Sequence, residues 1–513
     1  MPPYQDTSLS TCRLFNNSLG DVLSALLQNA RRAGAKIVDL ELQVDGADMW
    51  LSVTDDGAGI ADPSVLLALG RSGWGDSVAR GEDPAGMGLF SLAGRDVATR
   101  SSCRETGEAW EVDITSQAWE AGTSATVTAA PLACGTQLRF RLDERWRDDI
   151  DQAAHYAALY SPLSVRLNGA PLPRRDWLEG AEAIFEEDGV RIGLFKDYRA
   201  THMSPCINFH GVIVTSSMPV VAEKDRSWWA RIDIINAPKL HLVLPARKEM
   251  VENAALEALR AAVRRAIYRH IRTLGCHRLP FERWSEARDL GIPLPEADRV
   301  LMSWTPQRAD WNSLSSARSP VRVADHLLLG SFGPALEQCA ALAMEKVGAF
   351  QGRLACPDKD MEGYSWYDGL RCISSLHFTI ERKGEAFRID GSQSSELDSG
   401  PVGRLSLVLT ILGVVEEKVT LPAPVVIDYD DVQCCSLDDA RILLASGDPV
   451  TPAQLVDLLE GACFFSSGDR DADSWESQHE RFLLDARTMA TRLLLGDDAA
   501  LMGRLRVILA DQV

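Results

Sequence analysis

An aspartate at the end of a strand-like run, followed by glycines at alternate positions, suits the holding of a flat, amine-bearing ligand. The stretch Leu51–Ile60 reads LSVTDDGAGI, alternating apolar and polar residues before an acidic turn with Gly57 and Gly59. Asp55 can accept a hydrogen bond from an exocyclic amine such as that of adenine. Gly57 and Gly59 let backbone approach the ring closely, because no Cβ intervenes. An ordinary acidic hairpin turn would carry the same letters, so the flanking elements decide between the two.

A helix is expected over Asp21–Ala35 (DVLSALLQNARRAGA), with Val22, Leu23, Leu26, Leu27 and Ala30 spaced for one buried face. Ala25 and Asn29 are one turn apart and point the same way. Strands are expected at Lys36–Val44 and Ala47–Thr54, joined by a turn at Asp45–Gly46 that delivers the acidic loop beside this helix. A long Gly- and Ser-rich segment follows, ending in GMGLF at the start of another helix. There Gly86 and Gly88 would leave backbone N–H groups facing an anion. Val97–Arg104, Ala109–Thr115, Thr123–Ala129 and Thr136–Leu142 alternate as antiparallel strands do, the last preceded by Gly135.

The 513 residues exceed one ordinary core, so two or three domains are expected. A hydrophobic fraction of 46% with 25% charged residues is that of ordinary globular protein. A formal net charge of −20 argues against non-specific attraction to nucleic acid or anionic membranes and favours protein partners. No signal-peptide pattern and no membrane-length apolar run is present, which leads to an expectation of a cytoplasmic protein. The 11 cysteines include no C-x-x-C pair, and Cys434–Cys435 is read as structural.

In order, the helix with Asn29, Asp55-x-Gly57-x-Gly59, Gly86-x-Gly88 and Gly135-Thr136 resemble the ATP-binding domain of the GHKL superfamily. That superfamily includes the ATPase component of DNA gyrase, the ninety-kilodalton heat-shock chaperones, sensor histidine kinases and MutL. The resemblance implies an α+β protein whose first domain is a Bergerat-type α/β sandwich. It assigns Asn29 to Mg²⁺ and phosphate, Asp55 to the adenine amine and Gly57 and Gly59 to the ring. Gly86, Met87, Gly88 and Leu89 would wrap the phosphates, Thr136 would support Asp55 through its hydroxyl, and Gly70–Ala85 would form a lid over ATP.

One departure stands out. Family ATPases carry a glutamate four residues before that asparagine as general base, and this chain has Ala25 there. Asp21, one turn earlier, is short and roughly 6 Å further along the axis. Gln28 could only orient water. Hydrolysis is therefore expected to be impaired.

Beyond Asp151, strands are expected at Leu163–Leu172, Val190–Tyr198 and Cys206–Thr215, with a hairpin of Ala230–Asn236 and Lys239–Leu244. His210 is read as a core residue of an apolar strand. A basic turn, PARKEMVEN, leads into a helix over Glu249–Arg272 striped with Leu256, Leu259, Val263, Ile267 and Ile271. This resembles the transducer domain of MutL and DNA gyrase, in which a basic residue reaches the γ-phosphate. Arg247 is the positional match and Lys248 the reserve; a surface turn is the plain alternative.

The expected domains are 1–150 (ATP-binding), 151–278 (transducer-like), 279–320 (helical connector) and 321–513 (α+β). In the last, helices are expected at Pro334–Val347, Leu437–Ala445, Pro452–Cys463 (capped by Thr451) and Asp473–Leu509, and strands at Leu370–Arg382 and Leu405–Val414. Phe482, Leu483, Ala486, Met489 and Leu493 would form core or a dimer contact. The function implied by resemblance is an ATP-operated dimeric clamp or chaperone-like machine using ATP and Mg²⁺, a nucleotide-dependent homodimer with a protein partner. The alternatives are a nucleotide-dependent scaffold that does not hydrolyse ATP and a DNA-acting clamp.

Overall fold

The computed structural model describes residues 18–66, 92, 94–121, 126–130, 134–197, 203–243, 249–310, 318–392, 397–429, 437–447, 449–467 and 473–510. Outside these lie the arm through residue 17, the expected lid Gly70–Ala85, Gly86, Met87, Gly88, Leu89, Arg247, Lys248 and the Cys434–Cys435 pair. The protein is α+β and divides into two compact units, residues 1–279 with 283–295, and residues 280–282 with 296–513.

In the first unit, helix α1 (Leu19–Arg32) starts two residues before the expected Asp21. Its cap is Ser18, whose side chain accepts from Asp21 N at 3.1 Å; such caps stabilise a helix by about 1 kcal/mol. Leu19, Val22, Leu23, Leu26, Leu27 and Ala30 bury one face, each large side chain contributing roughly 1.5–3 kcal/mol. That face packs on an eight-stranded mixed sheet of β1 (Ile37–Asp45), β2 (Asp48–Asp55), β3 (Val97–Ser102), β4 (Ala109–Ile114), β5 (Val127–Ala129), β6 (Gly135–Arg141), β7 (Ser164–Leu167) and β8 (Ala170–Pro171). The order is β5-β4-β3-β6-β2-β1-β7-β8. Neighbours are antiparallel except β1 and β7, which run parallel. Helix α2 (Ile150–Ala158) packs beside α1. The sheet therefore continues to Pro171, past the expected boundary at residue 150, and Leu163–Leu172 is a tight hairpin rather than one strand.

A second sheet holds β9 (Ala183–Glu187), β10 (Val190–Asp197), β11 (Met203–Phe209), β12 (Val212–Ser217), β13 (Val221–Ala222) and β14 (Ser227–Ile234). Its order is β12-β11-β14-β10-β9, with β13 also paired to β14. The expected strand Cys206–Thr215 is a hairpin that turns at His210 and Gly211, with φ of 53° and 98°. His210 is thus a turn residue, not a core residue of a strand. The expected hairpin of 230–236 with 239–244 does not form; β14 pairs with β10 and β11 instead, and Leu242 makes only an isolated bridge to Met250. Helix α3 (Ala254–Leu274), capped by Asn253, buries all five residues of the expected stripe against this sheet.

The second unit is built on a six-stranded sheet centred on Arg371–Arg382 and Arg404–Leu412, and on a three-stranded sheet. The helix expected at Leu437–Ala445 is instead a short turn followed by strand Arg441–Ala445. That strand pairs on both sides, with Gly400–Val402 and Val425–Asp428, so packing overrides the helix preference of leucine and alanine. Pro452–Cys463 is helical, with the Thr451 cap and a reciprocal bond from Gln454. The helical stretch expected over Asp473–Leu509 is two helices, Trp475–Leu495 and Asp497–Ala510, separated at Gly496 with φ of 93°. Phe482, Ala486, Leu483, Met489 and Leu493 belong to this unit's core.

Candidate functional site

Strand β2 ends at Asp55, and the loop after it is fixed from several sides. Asp56 Oδ1 accepts from Lys36 N at 2.7 Å and Ile37 N at 2.9 Å, clamping the loop to the start of β1. Ala58 N donates to Ala33 O at 2.8 Å, which joins it to the end of α1. A Cβ at Gly57 would stand 2.7 Å from the Ala33 Cβ, so only glycine permits that approach. Gly59 has φ of 75° and lies against the Ser102 carbonyl, where any side chain would collide. From β3 and the turn after it, Ser101 Oγ accepts from Ile60 N at 2.8 Å and Arg104 Nη2 donates to Asp56 O at 2.6 Å. Trp110 Nε1 closes the far side by donating to Ile60 O at 2.9 Å.

The Asp55 carboxylate accepts from Gly57 N at 2.8 Å and from the Thr136 backbone, its register partner on β6. Burial pushes this carboxyl above its ordinary value; the N–H groups of Gly57 and Thr136 pull it down in part, and the neighbouring Asp56 charge pushes it up. At Asp56 partial burial acts upward, but the N–H groups of Ile37 and Lys36 and the nearby Arg104 hold it below the usual range. Two adjacent carboxyls are thus driven apart, Asp56 tied to the start of β1 and Asp55 half-buried and short of positive charge. Such a carboxylate gains from a ligand that brings an N–H donor. The support expected from the Thr136 hydroxyl comes from its backbone instead, since Thr136 Oγ1 shares a hydrogen bond with Ser101 Oγ at 3.1 Å.

The second part of the site lies along α1. Asn29 O accepts from Ala33 N at 3.0 Å and Ala33 O accepts from Ala58 N, so the asparagine is one helical turn from the Asp55 loop. Ala25 is 6% exposed, a methyl group one turn earlier still. Neither an acid nor a base stands at that position. Gln28 is 2% exposed and its Nε2 donates to Phe209 O at 3.3 Å, so its amide faces the β11–β12 turn of the second sheet. Asn29 is half-buried, and its Oδ1 accepts from Arg32 Nη1 at 3.4 Å.

That contact bears on the expected metal. Mg²⁺ requires close oxygen ligands in an octahedron and is usually held through one or two carboxylates with substrate phosphates. Here the oxygen assigned to it is an amide oxygen already facing a guanidinium, and α1 offers alanine rather than a carboxylate one turn away. Among the described residues no group of three His, Cys, Asp or Glu could hold a metal ion. The residues present do not fit a divalent cation at Asn29.

Asp55, Gly57, Gly59, Thr136, Asn29 and Ala25 are therefore brought to one side of the first unit, while Gly86, Met87, Gly88, Leu89, Arg247 and Lys248 lie outside the described residues. Sequence reasoning missed Ser101, Arg104 and Trp110, whose contacts depend on sheet register. It also missed Arg32, although its position three residues after Asn29 on the same helix face was a usable signal.

No protein-family model matches the chain. It is 33% identical over 132 residues to the DNA mismatch repair protein MutL of Azotobacter vinelandii, an overlap of 23% of this chain and 19% of that protein. The chain thus spans about a fifth of the length of that relative. Among solved structures it is similar to the ATPase region of Saccharomyces cerevisiae topoisomerase II, with 10% identity and a TM-score of 0.34 over 46% of this chain and 77% of that one. It is also similar to the ATPase and transducer domains of DNA topoisomerase II from Balamuthia mandrillaris, with 20% identity and a TM-score of 0.30 over 38% and 60%. With the MutL match set beside the ordered motifs and the geometry of the Asp55 loop, the chain resembles the GHKL ATPase superfamily.

Proposed function

We propose that the first unit binds ATP, with Asp55 taking the adenine amine, Gly57 and Gly59 the ring, and Asn29 the phosphate end. The chain acts as an ATP-operated clamp that closes as a homodimer around a protein partner. Hydrolysis is impaired because Ala25 leaves no general base. The observation that carries this reading is Asp55 itself, a half-buried carboxylate at a strand end, held by neutral N–H groups beside two glycines that no larger residue could replace. Gly86, Met87, Gly88 and Leu89 are proposed to wrap the phosphates, and Arg247, or Lys248, to reach the γ-phosphate.

Calorimetric titration of ATP into the full chain and its Asp55→Ala variant tests the reading. Binding lost in the variant supports it, and equal affinity removes Asp55 from the role. Analytical ultracentrifugation with a non-hydrolysable analogue tests the clamp; a monomer at every nucleotide concentration rules it out.

Ala25 equally favours a second reading, a scaffold that signals by the conformer ATP stabilises and never turns over. Persistent dimers and no phosphate release would select it. The relative named for DNA mismatch repair supports a DNA-acting clamp, against which the net charge of −20 weighs. Salt-sensitive retention of DNA in a mobility-shift assay would favour that version.

A further inference from the structure

We infer that Arg32 replaces the divalent cation at this nucleotide site, so that the chain binds ATP without Mg²⁺. The inference rests on the ATP-site reading and concerns how that site balances phosphate charge. Arg32 and Asn29 are three residues apart on α1, on one helix face, and Arg32 Nη1 donates to Asn29 Oδ1 at 3.4 Å. Both side chains are half-buried, so the charge is neither fully solvated nor fully withdrawn.

A basic residue in the last turn of a helix has a plain explanation, complementing the helix dipole, and Arg31 shares that explanation. Arg32 differs in that its guanidinium also reaches back along the helix to the side-chain oxygen of Asn29. A cation placed there does what a metal would do for phosphate oxygens. It stays charged at any physiological pH, and its five donors in a fixed fork let one guanidinium bind Asn29 and phosphate oxygens at once.

The two cations exclude each other. Mg²⁺ on Asn29 Oδ1 would sit at about 2 Å from an oxygen that already faces a permanent positive charge, and like charges this close oppose binding. One turn from Asn29 on α1, Ala25 offers Mg²⁺ no compensating carboxylate, and the acid of this helix, Asp21, stands a further turn away. Arg32 thus supplies fixed positive charge at the Asn29 end from the chain itself.

The experiment is ATP binding to the full chain by calorimetry, in excess Mg²⁺ and again in EDTA, with the unmodified protein, Arg32→Ala and Arg32→Gln. The unmodified chain is expected to bind equally well in both buffers. Arg32→Ala should lose about tenfold or more in EDTA, the size of one charge-assisted contact, and regain affinity when Mg²⁺ is added. Arg32→Gln keeps a donor for Asn29 without the charge, and guards against loss of fold in the alanine variant; it should show the same new dependence on Mg²⁺. Tenfold weaker binding of the unmodified chain in EDTA overturns the inference, as does undiminished binding by both variants in EDTA. Folded protein that binds no ATP in either buffer overturns the ATP reading itself, and this inference with it.

Discussion

The two ends of the candidate site differ in kind. At the Asp55 end the loop is bonded to α1, β1 and β3 through Ala58, Asp56 and Ile60, and the carboxylate left short of positive charge is the one suited to an amine. At the Asn29 end the helix is equally well formed, yet the side chains on it are a methyl group, a buried amide turned to the second sheet and an asparagine bridged by arginine. On the proposed reading, the Asp55 end serves recognition. The Asn29 end, among the described residues, shows on α1 no carboxylate one turn from the asparagine that acid–base chemistry or a metal could use. If the proposed function holds, the contrast teaches that selecting a ligand and transforming it fall on different elements of one fold, so that one can be present without the other.

The largest expected effect would break the contrast by supplying the missing chemistry. Ala25→Glu together with Arg32→Ala, assayed for phosphate release with Mg²⁺, should exceed the unmodified chain by about 10²–10⁴-fold, the usual worth of a general base. Ala25→Glu alone should fall short of the double variant, because Arg32 still occupies the metal's place. Brisk hydrolysis by the unmodified chain, abolished in Asp21→Asn, would instead make Asp21 the base. Next in size is Asp55→Ala, expected to weaken ATP binding by about tenfold to a hundredfold, as the loss of a hydrogen bond to a charged group does. Unchanged affinity in a calorimetric titration would show that the Asp55 end is not the recognition end.

Much of this contrast was legible in the sequence. Apolar periodicity located α1, strand alternation located β1, β2, β3 and β6, and the spacing of Asp55, Gly57 and Gly59 marked the loop, because these signals are local. The hairpin at His210–Gly211 was not legible: CINFHGVIVT is apolar on both sides of the turn, and only Gly211 marked it. The helix expected over Leu437–Ala445 failed for a different reason, since a short apolar run fits either a buried strand or a helix and its sheet partners decide. Ser101, Arg104 and the Gln28–Phe209 contact arise from residues far apart in sequence, beyond the reach of any local pattern.

That last contact sharpens the comparison from the Asn29 side. Gln28 adjoins Asn29 on α1, and its amide reaches the carbonyl of Phe209 at the turn between β11 and β12. This bond ties the Asn29 end to the second sheet, whereas the contacts of the Asp55 loop stay within the first sheet and α1. Gln28→Leu should leave the Phe209 carbonyl without this donor at a cost of about 1 kcal/mol, read as a lowered urea midpoint at unchanged slope. Hydrogen exchange should rise at 208–212 while the Asp55 loop stays protected. Equal loosening of both regions would mean that the two ends are not mechanically distinct.

The smallest expected effect concerns the cost of keeping Asp55 ready. Its carboxyl is pushed above the ordinary value chiefly by burial, so the folded protein holds the proton more firmly than the unfolded chain does. Stability therefore falls as pH rises from the ordinary carboxylate value, about 4, through the raised folded value. Asp55→Asn removes the buried charge while its amide oxygen can still accept from Gly57 N. The variant should melt at a higher temperature than the unmodified chain at pH 7.5, and the difference should shrink as pH is lowered toward the ordinary value. The same variant should bind ATP more weakly, since part of the acceptor becomes a donor facing the adenine amine. A variant that is less stable at neutral pH would mean that Asp55 serves the fold, and the Asp55 end would then be a structural turn rather than the half of the site that selects the ligand.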